Sequence, residues 1–466
     1  MGRRTSQGWN GVQWYRLRVV VGLLVMCSLL FTSCQNDDNP VVEPQYTTLK
    51  QALQDIPSIS MIEADPDTAA VRRKNEGEWE YKEQYSMFFT QDLDHRDEGG
   101  ESFQQRVCIL FRGFDRPTIL VTEGYMWSAF SDAADIGINL NANMVHVEHR
   151  NFGKSYNQDN GKWNYQTCEQ GSADLHDIYL ALKPLFKGKW MSAGTSKNGE
   201  TSILYAYHYP QDMDLATAFC SPFMLSLNDE RFGPYLFEEV GTAEERELMK
   251  TGIRNALKDG EQGMYKTFCQ QMEASQHWTP PFTEYVFNLF DAYFQIFQYT
   301  THNDGRTAKL EQLAANNDDL VELIVSANKG NKETDYRSYF VECAKQLGFQ
   351  NDGYSYFSDL LAGTSFNATD VPMYALHEED RWLEGKYDGT LFNDLATNFF
   401  VNTTTPLLLY YSHDDPWTAG KPQNVGPMVK VVINPIGAHN AFINDPAKCP
   451  AETKQEVMDY VSTYIY

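Results

Sequence analysis

The distribution of apolar positions changes texture several times along the chain. Residues 19–31 form an apolar run, interrupted only by Ser28, behind a polar, Arg-bearing start. From residue 85 onward, short runs rich in aromatic and β-branched residues take over. Residues 85–91 and 105–111 flank the turn-rich Gly99-Gly100 and predict an antiparallel hairpin. Residues 118–122, 144–148, 190–193 and 215–220 are short, nearly continuous apolar runs, the pattern of strands buried on both faces of a parallel sheet. Residues 171–185 and 200–209 carry helical spacing between them, and two further strand runs follow at 407–411 and 429–433. Alternation of strand and helix predicts an α/β domain with a mostly parallel sheet.

Between 223 and 398 the pattern is helical. Thr242-Ala243-Glu244-Glu245 reads as a capping box opening a helix towards Asp259. Val286, Phe290, Phe294 and Phe297 recur at helical spacing behind Pro280-Pro281, as the buried stripe of a helix. Helices are also expected at 307–328 and 335–347. The domain plan is therefore a sheet domain in two parts, 81–222 and 399–466, with a helical cap, 223–398, inserted between them. Residues 34–80 form a tether and lead-in with little periodicity.

The N-terminal run changes this picture. Arg3, Arg4, Arg16 and Arg18 precede it, and it ends in Thr32-Ser33-Cys34. It is shorter than the roughly 20 residues a bilayer-spanning helix needs, so residues 1–33 are expected to be a secretory signal peptide. The segment resembles bacterial lipoprotein signals. That resemblance implies that Cys34 is the acylated N-terminus, and that the protein is an outer-membrane lipoprotein of the cell envelope, periplasmic or surface-exposed.

Charge narrows the partners. The formal net charge is −25 and basic residues are thinly spread, which excludes a phosphate-tracking basic stripe and with it a nucleic-acid partner. Of eight cysteines, six lie beyond Cys34, none at C-x-x-C spacing. No metal site and no organic cofactor is expected; disulfides are permitted by the compartment, with their pairing open.

The candidate chemistry centres on Trp190-Met191-Ser192-Ala193-Gly194-Thr195-Ser196-Lys197-Asn198-Gly199-Glu200. A buried strand, a Gly-flanked serine and a helix give the context of a nucleophile elbow, although Asn198 stands where G-x-S-x-G has its second glycine. In α/β-hydrolases the serine is followed in the chain by an acid and then a histidine, each on a loop after a strand. Asp415, in His413-Asp414-Asp415-Pro416-Trp417, follows the run at 407–411, and His439 follows the run at 429–433. A serine hydroxyl needs a base within hydrogen-bond reach, His439 can take and return that proton, and Asp415 would orient the imidazole. Asp414 is the rival acid; Pro416 makes the turn that favours Asp415. The oxyanion hole is expected to use the backbone N–H of Lys197, with Gly124 or Tyr125 supplying the second donor. Asp94 and His95 read as a loop anchor, and His146 as a packed core residue.

Seven segments carry a family resemblance, in order along residues 91–439: Gln91-Asp92-Leu93-Asp94-His95, Phe103-Gln104-Gln105-Arg106-Val107, Thr122-Glu123-Gly124-Tyr125, Glu148-His149-Arg150-Asn151-Phe152-Gly153-Lys154-Ser155, the Ser196 elbow, Asp415-Pro416-Trp417 and Gly437-Ala438-His439. The chain resembles the secreted serine exopeptidases related to prolyl carboxypeptidase and dipeptidyl peptidase, in particular the bacterial prolyl tri- and tetrapeptidyl aminopeptidases. The resemblance implies an α/β-hydrolase sheet with an inserted helical cap and a Ser196, Asp415, His439 triad. It also implies release of short peptides, with proline favoured before the cut, from substrates with a free N-terminus. Two departures are Asn198 in the elbow and the missing proline after Gln91. An aminopeptidase must hold an ammonium group; Glu123 and Glu148, at the ends of expected parallel strands, are the candidates, with Glu148 alternatively a partner of Arg150 or of a backbone N–H. A carboxypeptidase would instead need a cation for the substrate carboxylate, and none is obvious in these segments. An esterase or lipase on the same fold, and a peptide- or glycan-binding lipoprotein without catalysis, are the alternatives.

Overall fold

The structure, a computed structural model, describes residues 46–64, 81–97, 99–127, 133–155, 163–330, 336–374, 376–439 and 442–466, with 133–134, 328–330 and 373–374 in backbone alone. The expected signal peptide, Cys34 and its tether lie outside the described residues. Residues 48–466 form one compact unit.

Nine strands make the central sheet: β1 (Ile59–Ala64), β2 (Glu83–Asp92), β3 (Ser102–Phe111), β4 (Thr118–Thr122), β5 (Asn143–Val147), β6 (Trp190–Thr195), β7 (Leu215–Phe219), β8 (Leu407–Ser412) and β9 (Val429–Asn434). Their order across the sheet is β1-β2-β3-β5-β4-β6-β7-β8-β9. The first three pairings are antiparallel, β1 with β2, β2 with β3 and β3 with β5; from β5 onward every neighbour is parallel. β4, β5, β7 and β8 are buried at every residue, which is why they read as continuous apolar runs and not as alternating ones. This is the α/β-hydrolase arrangement. From β4 the chain winds to β5 on one side, then returns to β6 on the other. The crevice at this switch point, outside the carboxyl ends of β4 and β6, is where open parallel sheets bind ligands.

Helices α1 (Leu49–Gln54), α2 (Ala133–Leu140), α3 (Cys168–Leu182) and α4 (Lys197–His208) belong to the first part of the sheet region. α3 starts three residues earlier than the spacing predicts, because Thr167 caps it, its hydroxyl accepting from the Gln170 N–H. The lead-in is more ordered than its weak periodicity suggests. α1 is capped by Thr48, and β1 pairs with β2 at the sheet edge. Both are six residues long, and β1 has no fully buried residue, so neither leaves a strong apolar period.

Between β7 and β8 lie α5 (Ala243–Leu257), α6 (Met264–Gln276), α7 (Phe282–Tyr299), α8 (Arg306–Ala315), α9 (Asn317–Gly330) and α10 (Arg337–Glu342). The capping box at Thr242 and Glu245 forms in both directions. Val286, Phe290, Phe294 and Phe297 on α7 are buried in the helical core, with Trp417 packed against it. The helix expected over 307–328 is two helices. Asn316 leaves helical geometry and its side chain accepts from the Asp318 N–H, a local bond that competes with helix continuation. The helix expected over 335–347 is short: α10 passes into a π turn, Cys343–Leu347, closed by Gly348 at φ +85°. The chain ends on α11 (Ala451–Ile465), whose Val457, Val461 and Ile465 are buried beside β8 and β9 residues. Among the described residues Cys168, Cys269, Cys343 and Cys449 form no disulfide.

Candidate active site

Ser196 follows β6 and caps α4 with φ +60° and ψ −132°, a backbone conformation that costs free energy in any residue bearing a Cβ. The neighbours hold it there. Its N–H donates to the Phe219 carbonyl on the next strand, and its own carbonyl accepts from Gly199 and Glu200. Strand and helix nearly touch: a Cβ on Gly194 would lie 2.3 Å from the Asn198 carbonyl oxygen, and one on Gly199 would lie 2.0 Å from Ser221 Oγ. The second glycine of the elbow is thus required, but three residues after the serine.

Asn198 occupies the displaced position because its side chain is used. Its Nδ2 donates to Glu123 Oε2 at 2.7 Å, its Oδ1 accepts from the Gly124 N–H at 2.6 Å, and its carbonyl accepts from Thr122 Oγ1 at 2.8 Å. The side chain staples the loop after β4 to the elbow. This corrects one expectation: the Gly124 N–H is committed to Asn198 and is removed as an oxyanion donor. Tyr125 and Lys197 keep that role as candidates. Both line the cavity described below, and Lys197 is the first residue of α4, where N–H groups lack intrahelical acceptors.

Asp415 and His439 meet. His439 Nδ1 lies 2.8 Å from Asp415 Oδ2, and both residues are buried. Asp415 opens a short 3₁₀ turn, Pro416–Gly420, and its other oxygen accepts from the Trp417 N–H at 3.1 Å. The proline after it fixes that turn. The His439 N–H donates to the Gln298 carbonyl at 2.9 Å, so α7 also holds the histidine loop. Asp414 points elsewhere: its carboxylate pairs with buried Arg306 at 2.9 Å and with His413 at 3.0 Å. Arg306 also binds Glu245 at 2.7 Å. Burial alone would raise the Glu245 carboxyl; Arg306 and the Thr242 N–H hold it down at about 2. Asp414 therefore belongs to a cap-to-sheet ion cluster and not to the histidine.

The two glutamates expected to sense an amine differ. Glu123 lines the cavity, and its buried carboxylate holds Asn198 and lies 3.2 Å from His146 Nδ1. Glu148 does not line it. One of its oxygens accepts from the Trp127 N–H, the other from the Lys154 and Ser155 N–H groups and the Ser155 hydroxyl. That carboxylate folds its own loop, which is the alternative the sequence left open; Arg150 goes to Asp174 instead, at 2.6 Å. Asp174 also receives His95 at 2.8 Å, which places His95 as an anchor, as expected.

Ser196, His439, Trp417 and Tyr125 line one cavity of about 1090 Å³, walled on the cap side by Asp291, Gln295, Tyr299, Tyr336 and Tyr339 among others. Two residues of its surroundings, Glu200 and Glu342, and the side-chain role of Lys197 have no place in the site expected from the sequence. Lys197 sends its side chain to Glu342 at the end of α10, at 3.0 Å, both groups being almost wholly buried. Burial opposes ionisation of Glu342, yet Lys197 keeps its carboxyl down at about 2. Glu200, one turn into α4, is equally buried; burial pushes its carboxyl up to about 8, with Lys197 opposing and Glu342 adding to the rise. No local sequence pattern joins Lys197 to Glu342. Glu200 stands among Lys197, Asn198, Thr201 and Ser202, so its charge does not mark it out at the polar helix start.

A serine in a strained strand-to-helix turn, sharing a cavity with an Asp-His pair carried on later strand ends, defines a serine hydrolase of α/β-hydrolase fold. The PS-10 peptidase S37 family matches residues 42–426, and the chain belongs to that family; it is a serine peptidase. The prolyl tri/tetrapeptidyl aminopeptidase of Streptomyces mobaraensis is 26% identical over 360 residues, covering 73% of this chain and 71% of that protein. Among solved structures, VinJ matches with 13% identity and a TM-score of 0.37, over 81% of this chain and 99% of that one. Proline iminopeptidase of Mycobacterium smegmatis matches with 11% identity and a TM-score of 0.35, over 81% and 98%.

Proposed function

We propose that this peptidase releases short peptides, tripeptides above all, from free N-termini and prefers proline before the cut. Ser196 Oγ attacks the carbonyl carbon of the scissile bond while His439 accepts the hydroxyl proton. Asp415 holds the Nδ1–H side of the ring, fixing the tautomer and stabilising the imidazolium that forms. The backbone N–H groups of Lys197 and Tyr125 receive the oxyanion. His439 then protonates the leaving amine, and water, deprotonated by the same histidine, hydrolyses the acyl-enzyme. The prolyl ring packs on Trp417, which lines the cavity and is itself buttressed by Phe232 and Phe294 at ring separations of 5.7 and 4.9 Å. By the same reading Cys34 carries lipid and anchors the enzyme to the cell envelope.

The observation that carries this reading is the 2.8 Å Asp415–His439 pair opening onto the cavity of Ser196. The family supports peptide chemistry, and the name of the Streptomyces relative supports the tripeptide and proline preferences. The test uses the mature domain without Cys34 and three fluorogenic substrates: Ala-Ala-Pro-reporter with a free amine, its N-acetylated twin, and Ala-Pro-reporter. Rapid cleavage of the free tripeptide, with both others poor and Ser196→Ala inactive, is expected. Equal cleavage of the blocked twin contradicts the aminopeptidase reading, and turnover of acyl esters with no peptide cleavage makes the enzyme an esterase.

A further inference from the structure

Among the described residues three carboxylates line the cavity: Glu123, Asp291 and Glu200. Glu123 is occupied by Asn198 and His146. Asp291, on α7, accepts from Gln295 Nε2 at 2.6 Å. Glu200 is 3% exposed, and among the described residues no hydrogen bond or ion pair reaches its carboxylate. The nearest cation, Lys197, is spent on Glu342. A buried carboxylate without a partner is costly, and one facing a cavity is satisfied by whatever cation the cavity admits. The surrounding wall suits an ammonium group, since the Tyr125 and Tyr339 rings line the same cavity 5.2 Å apart, centroid to centroid, and aromatic faces attract cations.

We propose that Glu200 receives the ammonium group of the substrate's free N-terminus. This rests on the aminopeptidase reading and replaces Glu123 and Glu148 as the sensor. Placement supports it. Glu200 lies one helical turn after Ser196 on the same helix, and both line the same cavity, so an amine held by Glu200 stays within a few residues of the scissile carbonyl. Chemistry supports it too. An arriving ammonium supplies the charge that Glu200 lacks, so its carboxyl ionises as the substrate binds. Blocking the amine removes that gain and leaves the buried group uncompensated.

The test measures kcat and KM for the free-amine tripeptide and for its acetylated twin, in the wild type, Glu200→Gln, Glu200→Asp and Asp291→Asn. Within each protein the ratio of kcat/KM for free over blocked substrate cancels any loss of folded enzyme. The expected result is a large ratio in the wild type and a fall of about 100-fold in Glu200→Gln, the usual size for truncating one partner of a buried charge pair. That fall should be carried mainly by KM, with part of the ratio kept in Glu200→Asp and most of it in Asp291→Asn. A wild type that does not distinguish the twins overturns the aminopeptidase reading itself. A wild type that does, with the ratio unchanged in Glu200→Gln, overturns this inference alone; collapse of the ratio in Asp291→Asn instead moves the sensor to the cap.

Discussion

The sheet side and the cap side of the cavity are built on different logic. On the sheet side, Ser196, Asp415 and His439 each follow a strand whose bounds are set by neighbouring strands, and hydrogen bonds hold each in place: the Ser196 N–H on β7, Asp415 on its own turn and on His439, and the His439 N–H on the Gln298 carbonyl of α7. On the cap side, the walls come from α7, α9 and α10, and they are tied to the sheet by charges: Lys197 to Glu342, and Arg306, itself braced by Glu245 within the cap, to Asp414. The first design fixes reacting atoms on rigid ends. The second fixes a lid by a few buried ion pairs, which lose much when one partner is removed. The site thus divides its labour, chemistry on the strand ends and substrate recognition between elbow helix and cap.

Adjacent acids sharpen the contrast most. Asp415→Asn leaves the fold intact and costs on the order of 10⁴-fold in kcat, because the imidazole loses its tautomer partner. Asp414→Asn leaves kcat within a few-fold and instead lowers stability by about 1–3 kcal/mol, since buried Arg306 loses one carboxylate. Steady-state kinetics and denaturant melts on the two variants separate these effects; a large kcat loss in Asp414→Asn would break the division.

Glu342→Gln tests the cap side. It strands the buried Lys197 ammonium, and the expected destabilisation is about 3–5 kcal/mol in urea unfolding. A stability unchanged from wild type would mean that the pair does not hold cap to sheet.

The Glu200 carboxyl gives a pH signature, in which its amide variant gains stability where Glu342→Gln loses it. Its folded value, about 8, lies above the ordinary 4.5. Between these values the folded state binds the extra proton, so stability falls as pH rises through that window and the loss is complete above about pH 8. Glu200→Gln lacks the proton. Its thermal stability should match wild type near pH 4.5 and exceed it at pH 8–9 by a few kcal/mol at most. Parallel melting curves across this range would contradict an uncompensated Glu200.

The smallest effect is expected at the staple. Asn198→Ala leaves the Gly124 N–H and Glu123 without their partner and loosens the Tyr125 donor, lowering kcat/KM by roughly 10–100-fold, the equivalent of about 1–3 kcal/mol. Asn198→Gly, which restores the G-x-S-x-G spacing, should do no better, because the lost interaction is the side chain's.

The two sides also differ in how far the sequence discloses them. The strands of the sheet from β2 onward, the elbow, the acid and the histidine are legible because each is a local signal: a run of apolar residues, a Gly-flanked serine, a residue on the loop that ends a strand. The order of the three along the chain then joins them. Asp414 against Asp415 was decidable from Pro416, whose turn aims the second of the two acids. Asn198 looked like a defect in the elbow, since a staple to Glu123 and Gly124 exists only once β4 and β6 lie side by side. Lys197 with Glu342, and the solitary burial of Glu200, were invisible for the same reason. They are properties of packing between α4 and a cap helix whose Glu342 lies 145 residues after Lys197, and no periodicity encodes them. Helix ends at Asn316 and Glu342 were missed because side-chain and π-turn geometry, and not apolar spacing, stops those helices.

The central claim is that the strand-end residues do the chemistry. It is tested most directly by treating the folded mature domain with a fluorophosphonate and mapping the adduct by mass spectrometry, beside Ser196→Ala and Asp415→Asn. The account predicts one adduct, on Ser196, absent in the first variant and formed far more slowly in the second. No adduct, or an adduct on another serine at wild-type rate in Ser196→Ala, would contradict it.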